Sequence, residues 1–436
     1  MYPVILSSLY FRRPSRRRTV MSTLQSRRDF LRKAAAGTAG LMLGARAARG
    51  QERAAGANER ILIGVLGCGS RSRGALIREA LQFANESNVE LAAVCDLWKE
   101  AREQAAAMIK KITGKEPKQV QYYQDVLAMK EVDAVIIATP DHQHATILAA
   151  AARAGKDAYI EKPLAMNMKE LIEAVDAVKK HDRIVQVGTQ LRSWPSFTGC
   201  RAFVETGALG KISKISQVRN GYRPYWHGYA RRINESDTDW KAFLMSQPYR
   251  PWDADQYTAW YGYRDFSSGP VGGFMSHFID LVHYIMGAKF PHSAVTLGGV
   301  YVWKDSRTVP DTVHTLLDYP EEFMVSYTTN FGNGSGNYTK FFGTRGVLDC
   351  SDWNNPIVSG EGSDDPKRIK EKKPVPPVEM PHHMLDWLNC LRSRKQPNAN
   401  IDAGYQHGVA CILSDRAYVE GRRMVYDREK REIRPA

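Results

Sequence analysis

Several short stretches of this chain place reactive or ligand-holding side chains at the ends of apolar runs. Glu161-Lys162-Pro163 follows one such run, residues 157–160. A lysine at the C-terminal edge of a parallel sheet points into the ligand crevice, where its ammonium can polarise or protonate a substrate oxygen. An exposed Glu-Lys ion pair is the plainer alternative. Gly67-Cys68-Gly69-Ser70-Arg71-Ser72-Arg73-Gly74 follows a second run, Ile61 to Leu66. Glycines at such a turn let the backbone approach a pyrophosphate, which then meets the N–H groups opening the next helix. Ser72 stands where the third glycine of a dinucleotide fingerprint falls, with Gly74 two residues on. Asp96 ends a third run, 29 residues after Gly67. A carboxylate there bonds an adenosine ribose and repels a 2′-phosphate, so NAD is favoured over NADP. A helix N-cap would use the same residue, and Arg71 and Arg73 weigh against the preference.

Other reactive residues point nowhere definite. His142 and His144 have HxH spacing, but the sequence offers no third ligand, and no metal is expected. His382-His383 fits a helix start, as a cap or in packing. Six cysteines (68, 95, 200, 350, 390, 411) show neither CxxC pairs nor zinc spacing and are expected as small core residues.

The elements that must position these residues follow from periodicity. Ile61–Leu66, Val89–Cys95, Val120–Tyr123, Val132–Ala138 and 157–160 are short buried runs. They alternate with helical patterns at 75–85, 99–112, 143–154 and 168–181. That alternation predicts a Rossmann-type doubly wound parallel sheet over residues 59–182. From 183 to 436 the strands lengthen and alternate apolar with polar: 212–219, 295–303, 312–319 and 323–330. This predicts a second α/β domain with a large open, mostly antiparallel sheet. Residues 221–268 are rich in Tyr, Trp and Arg; such aromatics stack on sugar rings but more often fill cores. Residues 355–380 are Pro- and Lys-rich and predict a surface loop. Helices are expected at 382–392 and 404–419.

Composition is that of a globular chain: 43% hydrophobic and 25% charged residues. No apolar run reaches the ~18 residues of a membrane span. The net charge of +14 is concentrated in residues 1–47, which hold ten Lys/Arg and one acid. The basicity is therefore not that of a nucleic-acid face. Ser26-Arg27-Arg28-Asp29-Phe30-Leu31-Arg32, an apolar stretch from Ala34 to Ala45, and Ala45-Arg46-Ala47 give a twin-arginine signal and cleavage site in order. A basic amphipathic helix is the alternative. Residues 48–58 would be a linker, and the mature protein periplasmic or extracellular in a bacterium. That route carries folded proteins, so an exported dinucleotide enzyme should hold its cofactor tightly.

Taken together, Gly67-x-Gly69, Ala138-Thr139-Pro140-Asp141-His142-Gln143-His144, Glu161-Lys162-Pro163, Gly188-Thr189-Gln190-Leu191-Arg192 and Ser268-Gly269-Pro270-Val271 running to His277-Phe278-Ile279-Asp280 resemble the Gfo/Idh/MocA oxidoreductases over residues 58 to 436. The resemblance implies NAD(P)-dependent chemistry on sugars, polyols or their derivatives, and a homo-oligomer through the open C-terminal sheet. It implies cofactor contacts from Gly67, Gly69, Ser70, Arg71, Asp96, Thr139, Pro140, His144, Glu161, Lys162 and Gln190. It makes Lys162 the active-site lysine and His277 the catalytic histidine, whose ordinary pKa suits proton exchange. The family aspartate four residues before that histidine is Gly273 here. Asp280, His283 and His227 are the candidate replacements. Arg192, His227 and Asp280 are candidate substrate residues. Hydride transfer at a secondary hydroxyl is the expected reaction. Glycoside hydrolysis with catalytically used NAD, or sugar binding alone, are the rivals.

Overall fold

The computed structural model describes residues 60–224, 227 and 231–436. The expected leader (1–47) and linker (48–58) lie outside them, as do Tyr225, Trp226 and Tyr229 of the aromatic stretch. Among the described residues no helix is long and apolar enough to cross a membrane.

Six parallel strands form the first sheet: β1 Ile61–Leu66, β2 Val89–Cys95, β3 Lys118–Val120, β4 Ala134–Ile137, β5 Asp157–Ile160 and β6 Val185–Val187. Their order is 3-2-1-4-5-6. The order in which strands are added reverses between β1 and β4, which opens a crevice at the strand C-termini. β1 and β4 are almost continuously apolar because helices cover both faces. The sheet runs past the expected boundary at 182: β6 pairs with β5 through Ala158 to Val185. The third strand ends at Val120, and Tyr123 already opens helix Tyr123–Ala128. One face of this sheet is closed by a late element. Met384, Trp387 and Leu388 of helix His383–Ser393 pack with Ile63, Val65, Ile136 and Tyr159.

The second sheet has ten strands in the order β14-β13-β12-β11-β7-β10-β9-β8-β15-β16. These are β7 Ile212–Val218, β8 Ser293–Gly299, β9 Thr312–Tyr319, β10 Phe323–Asn330, β11 Tyr338–Gly343, β12 Gly346–Asp349, β13 Ile357–Ser359, β14 Lys373–Pro374, β15 Met424–Asp427 and β16 Glu432–Pro435. Among the described residues of this sheet, only the β7–β10 pair is parallel. Alternating burial along β9 and β10 reflects one packed and one open face. The expected loop at 355–380 contributes β13 and β14 to the edge of this sheet; a proline is tolerated at an edge. Helix Ile401–Glu420 touches both sheets, at β6 and at β8 and β15. It approaches β6 closely at Gly404, where an added Cβ would lie 2.8 Å from Val187 Cγ2.

Candidate active site

The turn after β1 is shaped by Gly67. Its φ is +90°, and a Cβ there would lie 2.5 Å from the carbonyl oxygen of Ala138. Glycine meets both demands, the left-handed backbone and the missing side chain. Gly69 faces open space. The chain then enters a π-turn, Ser72–Leu76, that runs into helix Ile77–Gln82, somewhat earlier than the expected start at 75. Asp96 sits at the end of β2. Its Oδ2 accepts from Cys68 N (2.7 Å) and its Oδ1 from Trp98 N (2.9 Å). Each oxygen keeps acceptor capacity for a ribose hydroxyl. Burial raises the Asp96 carboxyl from its ordinary value, against the pull of those two N–H groups.

These residues open onto a cavity of about 590 Å³ whose lining includes Gly67, Gly69, Ser70, Arg71, Asp96, Thr139 and Pro140. Among the described residues, Thr139 Oγ1 and Gln190 Oε1 are buried with no hydrogen-bond partner in the chain. A glycine cradle, an acid at the end of β2 and partnerless polar atoms near it fit a dinucleotide. The opposite wall comes from the second domain: Asp239, Phe243, Tyr257, Trp260 and Tyr261. This wall is pinned at two places. Tyr122 donates to Asp239 Oδ2 (2.9 Å), and Gln143 Nε2 donates to the Phe243 carbonyl (2.9 Å).

β5 delivers Glu161, Lys162 and Pro163 to the crevice, with a cis Lys162–Pro163 peptide. Glu161 is buried and takes the Arg71 Nε at 2.7 Å. Burial alone would raise its carboxyl, but Arg71 and Lys162 outweigh that and hold it below its ordinary value. Gln190 Nε2 donates to Tyr159 Oη at 2.8 Å and lies 3.4 Å from Glu161 Oε1. His144 braces this corner, its ring nitrogens facing the carbonyl oxygens of Pro163 (2.7 Å) and Thr139 (2.8 Å). His142 turns elsewhere, to the Phe243 carbonyl at 2.8 Å, and burial drives it down to about 4. The two histidines thus serve different partners. Among the described residues no three His, Cys, Asp or Glu side chains converge as a metal set.

Lys162 Nζ donates to the Gly273 carbonyl at 2.7 Å and to Tyr261 Oη at 3.3 Å. Position 273, where the resemblance implies a carboxylate, therefore still meets the lysine, through its backbone. Burial lowers the Lys162 ammonium, and Glu161 and Asp141 oppose the shift. His277 opens helix Ser276–Met286 and is partly buried. Burial, then the charges of Lys162 and Arg71, push it well below its ordinary value. It is held as the neutral imidazole.

Arg192 and Asp280 engage each other and do not line the cavity, contrary to the expectation of substrate contact. Arg192 Nε and Nη2 lie 2.6 and 2.8 Å from the Asp280 oxygens, both residues buried. Two charges out of water require such a pairing. Burial would raise the Asp280 carboxyl, but Arg192 holds it far below. His407, absent from the sequence reading, stands 3.6 Å from Asp280. His283 pairs with Tyr319 Oη at 2.7 Å, and exposed His227 rests edge-on against Trp303. Neither replaces the carboxylate. Tyr261 and Asp141 were also missed as site residues. Tyr261 was one aromatic among many in a stretch whose other members, Trp240, Tyr257 and Tyr263, do fill a small core. Asp141 lay inside the Ala138–His144 motif with nothing to set it apart.

Comparison with known proteins agrees with this geometry. Residues 61–189 match the model of an oxidoreductase family with an NAD-binding Rossmann fold, and residues 201–419 match its C-terminal α/β domain. A levoglucosan dehydrogenase of Pseudarthrobacter phenanthrenivorans is 29% identical over 249 residues, 52% of this chain and 57% of that protein. The chain thus matches little more than half the length of that relative. A glycosyl hydrolase family 109 protein of a Shewanella species is 25% identical over 186 residues, 38% of this chain and 40% of that one. A solved levoglucosan dehydrogenase, in complex with NADH and levoglucosan, has the same fold, with a TM-score of 0.64 at 17% identity. It covers 84% of this chain and 99% of the other. With both domain models matched across most of its length, the chain belongs to the Gfo/Idh/MocA oxidoreductase family.

Proposed function

We propose that this protein transfers hydride between NAD and a secondary hydroxyl of a sugar, polyol or glycoside. The observation that carries the proposal is that Lys162, at the end of β5, is held by Gly273 O and by Tyr261 Oη, and Tyr261 lines the cavity that Gly67, Gly69 and Asp96 also line. Bound NAD would supply the hydride acceptor or donor. Gly67, Gly69 and Ser70 would hold its pyrophosphate, Asp96 the adenosine ribose, and Thr139, Pro140, His144 and Gln190 would border the nicotinamide end. Lys162 would polarise the substrate oxygen. His277 would take the hydroxyl proton on oxidation and return it on reduction. The second domain would supply the substrate walls.

A second reading is supported by the wall Asp239–Tyr261 across the cavity. A cofactor enclosed from both sides exchanges slowly, which suits a glycosidase that returns the hydride to its own substrate within each turnover. Export through a twin-arginine signal at 1–47 and residence in the periplasm or outside the cell would add the same demand for retention. We further propose a homo-oligomer through the open face of the ten-stranded sheet, where Leu297, Leu316 and Met324 are exposed.

The test is to follow the reduced-nicotinamide absorbance while purified protein meets sugars and glycosides, and to assay denatured protein for released NAD(H). Band change in step with an oxidised or reduced sugar supports the dehydrogenase. Aglycone release without net change supports the second reading. Absence of bound or bindable dinucleotide sinks both. Lys162→Ala and His277→Ala should each lower kcat by roughly 10²–10⁴ in either case.

A further inference from the structure

Lys162 is partly buried, and an ammonium drawn out of water needs a countercharge to stay protonated. The family position for that carboxylate is occupied by Gly273, and Glu161, the stronger of two negative charges acting on Lys162, is shared with Arg71. A second acid stands nearby. Asp141, on the turn after β4, is 2% exposed. Lys162 and Asp141 each feel the other's charge. The Asp141 Oδ2 accepts from the Ser267 hydroxyl at 2.7 Å, and Ser267 Oγ accepts from Gly269 N at 3.0 Å. Gly269 O accepts from Gly273 N at 2.7 Å, and Gly273 O accepts from Lys162 Nζ at 2.7 Å. Next to Asp141, His142 N donates to Phe266 O at 3.2 Å. A chain of hydrogen bonds thus leaves Asp141, crosses to the second domain and returns to Lys162.

We propose that Asp141 is the positioning residue for Lys162, serving in place of the carboxylate missing at 273. It does so twice over. Its charge keeps Lys162 protonated, and its bond to Ser267 fixes the loop whose Gly273 carbonyl aims the ammonium. The inference rests on the hydride-transfer reading only in giving Lys162 its task. Lys162 and Glu161 face Asp141 from the end of β5, the Ser267 hydroxyl faces it from the second domain, and His142 and His144 follow on its own segment. Burial pushes the Asp141 carboxyl up to about 7, against the opposing pull of Lys162. The countercharge is therefore itself present or absent within the physiological range.

The experiment uses the full chain with lysines labelled with ¹³C at Cε; the Lys162 signal is the one missing from Lys162→Arg. In Asp141→Asn its titration midpoint should fall by about one pH unit or more. In the unaltered protein the same signal should show a smaller inflection near neutral pH, as Asp141 takes up its proton. Turnover adds a second readout. Asp141→Asn should lower kcat by about tenfold or more with KM little changed, and move the alkaline limb of the pH profile to lower pH. Asp141→Glu should restore that limb, and Ser267→Ala should lower kcat while leaving the limb in place. An unmoved Lys162 midpoint in Asp141→Asn overturns the proposal, as does a kcat loss with the limb unmoved. If Asp141→Asn does not fold, a Lys162 signal without the neutral inflection overturns it in the unaltered protein. Failure of the hydride-transfer reading would show separately, as absence of turnover by the unaltered protein, and the titration would still decide this proposal.

Discussion

Asp280 and Asp141 are both buried acids close to the reaction centre, and their surroundings push them in opposite directions. Asp280 is clamped by Arg192 and depressed. It lends stability above the unfolded carboxylate value near 3.9, and that stability is lost as pH falls through the depressed folded value. Asp280→Asn leaves Arg192 buried without its countercharge and should cost about 3–5 kcal/mol, measurable by urea denaturation at pH 7. Asp141 is raised to about 7. Between about pH 4 and 7 the folded protein keeps a proton there that the unfolded chain has released, so this group makes stability decline as pH rises. Its share of the slope is at most about 1.4 kcal/mol per pH unit. Asp141→Asn should remove it, and denaturation midpoints taken across pH 4–8 would show a flatter profile. An unchanged profile would refute the assignment of that proton.

At the scale of elements, the β/α alternation was legible because buried parallel strands leave unbroken apolar runs. β2, β9 and β10 fall where expected, to the residue. The boundary at 182 was not legible, since Val185–Val187 is too short to announce which sheet it joins. The edge strands β13 and β14 were hidden in a Pro- and Lys-rich composition. In the site, Gly67, Asp96 and Lys162 could be read because a turn or a strand end exposes each one's purpose. Arg192, Asp280 and His407 could not, because their meaning is a mutual distance across three separate segments. The Gly67 turn carries its own prediction. Gly67→Ala meets both a left-handed backbone and the Ala138 carbonyl at 2.5 Å. It should destabilise the turn by about 1–3 kcal/mol and weaken NAD binding at least tenfold by calorimetry. Retained affinity would show that the pyrophosphate is held elsewhere.

Across the whole molecule, the two halves are not independent modules. Helix His383–Ser393 follows most of the second domain in sequence yet covers the first sheet, with Trp387 buried against Tyr159 at 5.8 Å between ring centroids. Trp387→Ala should cost about 3–5 kcal/mol and lower NAD affinity from a distance. A fragment ending at residue 189 should fail to unfold cooperatively by calorimetry, because the part of its sheet that Met384, Trp387 and Leu388 cover is left open; a sharp transition would contradict that.

The same helix sets an order of events during synthesis. All six strands of the nucleotide-binding sheet leave the ribosome well before residues 383–393 do, and part of one apolar face waits uncovered while some two hundred residues follow. The first half to be made is thus among the last to be finished. A dinucleotide offered to the growing chain before residues 383–393 have emerged meets an incomplete platform.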